Sequence, residues 1–125
     1  KESGRIHIIK TLENAEKYSA HYINSLKFTF RISVDGYEPY DVELKANRVD
    51  NKFVWEYTSD EFFWEKGQNP NYTIEEINIP EGVEFVSGTV SFPVMPQLQF
   101  QVQRFLQNYK KVKIAIYKFV QKIHI

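Results

Sequence analysis

Hydrophobic and polar residues alternate with a period of two along most of this chain, and the alternation defines the elements. Leu26, Phe28, Phe30, Ile32 and Val34 interleave with Lys27, Thr29, Arg31 and Ser33, the pattern of a half-buried antiparallel strand over 26–35. Asp35-Gly36 is a hairpin turn signal, and Tyr40, Val42 and Leu44 alternate on the returning strand. Phe53, Trp55 and Tyr57 share one face of the next strand, over 51–57. A short Phe-Phe-Trp strand over 61–65 precedes a turn at 67–70. The opening segment, 4–11, places Ile6, Ile8 and Lys10 on one face. Residues 12–25 are polar and predict a long loop, with a turn or two of helix over 13–23 as the alternative.

The second half of the chain carries the same pattern. In 71–79, Tyr72, Ile74 and Glu76 share a face, and Thr73 and Glu75 the other. Pro80 and the Glu81-Gly82 turn end that strand. Residues 83–92 read as a strand broken at Ser87-Gly88, where a bulge is expected. Leu98, Phe100 and Val102 alternate with glutamines, and the inner row continues to Arg104. In 111–118, Ile114, Ile116 and Lys118 repeat the places of Ile6, Ile8 and Lys10. The tail 109–125 is therefore read either as the last strand of a single domain, 1–125, or as the start of a following repeat. About nine short strands separated by turn signals predict an all-β, two-sheet sandwich.

Three charged residues extend apolar rows: Lys10, Glu76 and Arg104. A charge on a core face is costly unless it is paired or neutralised. The spacing leaves two arrangements open. Glu76 forms an ion pair with Arg104 or with Lys10, or one of the charges reaches solvent along its own stem.

Composition narrows the field. Aromatic residues make up 16% of the chain, which favours β structure over helix. Net charge is +0, so no basic field draws the chain to nucleic acid. The absence of cysteine excludes disulfides and thiolate metal sites. The three histidines are scattered, and no cofactor is expected. No apolar run approaches the length of a membrane span. The chain opens on Lys, as expected of a processed or excised segment. No Ser/His/Asp order, phosphate loop or metal-ligand spacing appears, so no turnover enzyme is expected.

Tyr72-x-x-x-Glu76-x-x-x-Pro80-Glu81-Gly82 resembles the signature strand of Cna-B-type, pilin-like repeat domains of Gram-positive bacterial surface proteins. The aliphatic run ending at Lys10-Thr11, the segment from Lys27 to Ile32, and Phe63-Trp-Glu-Lys-Gly67 ahead of Tyr72 resemble that family's other strands, in the same order. The resemblance implies an Ig-like β-sandwich. It also implies an intramolecular amide between a first-strand Lys and a last-strand Asn, assisted by a buried acid. On this chain it places the nucleophile at Lys10 and the acid at Glu76. The family's Asn position is occupied by Arg104, which has no carboxamide, and Asn108 is the nearest amide. The bond's non-covalent substitute is an ion pair of Glu76 with Arg104 or Lys10.

The function expected from this resemblance is structural: a stalk or spacer module, extracellular on a bacterial cell surface. Its partners would be neighbouring domains of the same protein, with wall anchoring supplied from outside this chain. The alternative is an adhesive module that meets a host protein or glycan through exposed aromatics, with Phe62 and Trp64 as candidates.

Overall fold

The computed structural model describes residues 2–68, 70–91 and 112–124. Their strands are β1 (Glu2–Leu12), β2 (Thr29–Val34), β3 (Tyr40–Glu43), β4 (Lys45–Val49), β5 (Lys52–Thr58), β6 (Phe62–Trp64), β7 (Tyr72–Ile77), β8 (Val83–Ser91) and β9 (Val112–Ile123). The larger sheet runs β4-β5-β1-β9-β8, with β6 also paired to β1, and the smaller runs β3-β2-β7. The fold is mostly β, in two sheets.

The core lies between the sheets. Ile6, Ile8 and Leu12 of β1 and Trp55 of β5 face Phe30, Ile32 and Val34 of β2, all buried. Phe28, just ahead of β2, meets Trp55 edge to face at 4.9 Å between ring centroids. Phe30 packs on Phe119 of β9 across the gap. Each contact follows from the two-residue period, which turns alternate side chains to one face.

The chain crosses between sheets at Leu44. β3 ends at Glu43 in the smaller sheet and β4 begins at Lys45 in the larger. Leu44 is buried at this corner, and its N–H donates to the Phe28 carbonyl. The alternation up to Lys45 gave no sign of a separate β4. Its five residues are all exposed, so no apolar row marks it. The β4–β5 turn places Asp50 and Asn51 at φ 51° and 64°, the left-handed pair of a tight hairpin.

Residues 12–25 are not one long loop but follow the helical alternative, with a 3-10 turn (Ala15–Lys17) and a short helix α1 (Ala20–Ser25). The Ser19 side chain caps α1 by accepting from the Tyr22 N–H at 3.1 Å. Ile23 is the one residue of α1 that is buried, which anchors the helix to the core. The break in β8 is a register shift between Phe85 and Ser87.

The tail runs along β1. β9 pairs with β1 in parallel from Ser3↔Val112 to Leu12↔Gln121, and with β8 in antiparallel. Register sets Lys10 opposite Phe119, not Lys118. Lys118 is exposed, whereas Ala115, Gln121 and Ile123 are buried. The core face of β9 is therefore the odd-numbered row, one residue out of phase with the repeat read from Ile114, Ile116 and Lys118.

Candidate functional site

Lys10 is the most deeply buried charged residue among those described. It continues the core face of β1 beyond Ile6 and Ile8, at 0% exposure, so its stem cannot reach water. Glu76 continues the face of β7 that carries Tyr72 and Ile74, opposite Phe30 of β2. The two sheets bring these charges together. Lys10 Nζ donates to Glu76 Oε2, with the Glu76 side chain only 7% exposed.

Two aromatic rings also lie beside the amine. Nζ lies 3.7 Å from the centroid of the Phe28 ring and 5.7 Å from that of Phe30. A cation over an aromatic face is attracted by the ring quadrupole, which recovers part of the lost hydration. Relative to water the balance is still shifted against the charged form. Desolvation brings the Lys10 ammonium down from 10.5 to about 8, against the opposing hydrogen bond and charge of Glu76.

A third polar group completes the site. Gln121 of β9 is buried, and its Nε2 donates to Glu76 Oε1. One carboxylate thus bridges an amine from β1 and a carboxamide from β9. The end of β9 is held in place by Asn14, whose Nδ2 donates to the Ile123 carbonyl and whose Oδ1 accepts from the Ile123 N–H, both at 2.9 Å. The Glu13 N–H donates to the Gln121 carbonyl at 2.9 Å. Gln121 Oε1 has no donor among the described residues. Its orientation is nevertheless fixed, because turning the amide would set a carbonyl oxygen against the carboxylate.

Gln121 was absent from the sequence reading. Its signal was there: it follows Phe119 on the buried row of β9 as Lys10 follows Ile8 on β1. The phase of the tail hid it. Arg104 and Asn108 lie outside the described residues. Phe62 and Trp64, the candidate ligand contacts, are buried at 6% and 8% exposure. Phe62 packs within the core against Tyr37, Tyr40 and Tyr72. Alternation on the short β6 turns both inward and leaves Phe63 exposed, so neither offers a surface to a host protein or glycan.

Among the described residues no group of three or more His, Cys, Asp or Glu side chains is gathered as a metal site. No helix among them is long and apolar enough to cross a membrane. No family model matches the chain, and neither a curated protein nor a solved structure does.

Proposed function

We propose that this chain is a structural spacer module, of the Ig-like Cna-B or pilin type, in a Gram-positive bacterial cell-surface protein. The observation that carries the reading is the contact of Lys10 with Glu76, the pair that the resemblance marks as nucleophile and acid. The partners are neighbouring domains of the same surface protein, and the module performs no turnover chemistry.

The topology suits a load-bearing role. β1 and β9 are parallel neighbours joined along ten register pairs. Tension applied through the chain before β1 and after β9 pulls the two strands in opposite directions along their length. All ladder bonds are then loaded together, in shear, instead of being opened one at a time. The buried cluster reinforces the same two strands, since Lys10 and Gln121 both bind Glu76. The amide in this cluster is that of Gln121 on the last strand.

Single-molecule stretching of the full chain between flanking handle domains tests the reading. The expected result is a high unfolding force that falls when Lys10 is replaced by Met. A low force, unchanged by that replacement, would contradict a load-bearing role.

A further inference from the structure

We propose that Gln121 and Lys118 together fix the register of β9. Gln121 does so by meeting Glu76 in the native register, and Lys118 by barring the register one residue away. The device is independent of what the module does.

β9 needs such a device. Its core row holds Ala115, Tyr117, Phe119 and Ile123, while Ile116 and Val120 of its outer row are half-buried. A slip of one residue turns every side chain of a strand to the other face, and a strand that is apolar on both faces resists it weakly. The competing register is the one that residue types alone suggest. It sets Ile116 opposite Ile8, Lys118 opposite Lys10 and Val120 opposite Leu12, where the native pairing has Tyr117, Phe119 and Gln121.

The backbone contacts of β9 do not choose between the two. The ladder to β1 is made of main-chain groups, which every residue of β9 carries. The Asn14 side chain likewise binds the N–H and the carbonyl of Ile123, and Lys122 in that place would present the same pair. On the other edge, β8 packs loosely against any partner. Phe85, Val86 and Val90 are exposed, and the β8–β9 ladder already shifts between Phe85 and Ser87.

The side chains that meet Glu76 do choose. In the native register Gln121 Nε2 donates to Glu76 Oε1, and Lys10 Nζ donates to Oε2. After the slip Val120 would stand in the place of Gln121, and Oε1 would be buried without this donor. Lys118, now exposed, would take the place of Phe119, which packs on Phe30. A second ammonium would then lie beside Lys10, with one carboxylate to serve both. A buried polar residue that is satisfied in one register alone is the best-attested way for a core to specify pairing.

Disulfide capture in the full chain tests the proposal, since the chain has no cysteine of its own. His7→Cys with Ile116→Cys joins neighbours on the outer face in the native register. Such neighbours lie about 5 Å apart, within disulfide reach. His7→Cys with Ala115→Cys sets the two thiols on opposite faces and brings them together only after the slip. Mild oxidation followed by intact-mass spectrometry reads each closure. In the wild-type background the first pair is expected to close and the second to stay open. With Gln121→Leu and Lys118→Leu together, closure of the second pair is expected to rise about tenfold or more, as one buried donor no longer selects the register. Adding Val120→Gln moves the donor to the residue that faces Glu76 after the slip, and the second pair is then expected to be the main product. This triple variant keeps a partner for Glu76, so it carries the test if the double variant does not fold. Closure of the first pair alone in either variant would overturn the proposal. So would closure of the second pair in the wild-type background, or equal closure of both pairs in the triple variant.

Discussion

Gln121 Nε2 donates to Glu76 Oε1, so the last strand is joined to the edge strand β7 of the smaller sheet by a side chain that the tail's apparent repeat concealed. The donor matters because a carboxylate oxygen taken from water needs a partner. Gln121→Leu keeps the volume and removes the donor. The expected loss is about 1–3 kcal/mol, the desolvation cost of a buried polar group left unpaired. Urea unfolding at neutral pH measures it. Gln121→Glu, which sets a second carboxyl group against Glu76, is expected to lose more.

The alkaline limb of stability is set in part by Tyr40. Its hydroxyl lies 3.0 Å from that of Tyr57. Desolvation first, then the hydrogen bond to Tyr57, raise the Tyr40 phenol far above its ordinary value of 10.0. A group with a raised folded pKa contributes stability that is complete below its unfolded pKa and is lost as pH rises through the folded one. The urea midpoint is therefore expected to fall above pH ~10, where the unfolded phenol ionises and the folded one does not. Tyr40→Phe is expected to lose less over the same range. Tyr72 and Tyr117, also raised by desolvation, add to the fall, whereas Lys10, lowered from 10.5 to about 8, opposes it between those two values. Phenolate absorbance followed against pH checks the ionisation directly.

The β4–β5 turn makes a local prediction. Asn51 sits at φ 64°, a region that costs a β-branched residue roughly 1–2 kcal/mol. Asn51→Val is expected to destabilise by about that amount. Asn51→Gly is expected to be near neutral. Thermal unfolding of the two variants separates a conformational cause from a loss of contacts, because Asn51 is exposed.

How much of this was legible in the residues depends on whether an apolar row marked the element. β1, β2, β5 and β7 each carry such a row, and the alternation located them. Lys10 and Glu76 stood out because each continued a row with a charge. β4 escaped because its positions are all exposed, and α1 stood only as the alternative to a loop because six residues display too little periodicity. Gln121 escaped for a different reason. Ile114, Ile116 and Lys118 match Ile6, Ile8 and Lys10 in type, but parallel pairing sets Phe119 beside Lys10 and shifts the core face by one residue. Register is a property of the pairing of two strands, and neither strand encodes it alone. Composition alone does not say which face Phe62 and Trp64 occupy, and alternation on β6 turns both inward.

Pairwise coupling between Lys10 and Glu76 is the most direct measure of the central claim that these residues tie the two sheets together. Urea unfolding of the wild type, Lys10→Met, Glu76→Leu and the double variant completes the cycle. Each single replacement removes one partner of a buried pair and is expected to cost about 3–5 kcal/mol, with the double variant well short of the sum. Additive losses, with the double variant as unstable as both singles combined, would show that the two residues do not act on one another and would contradict the account.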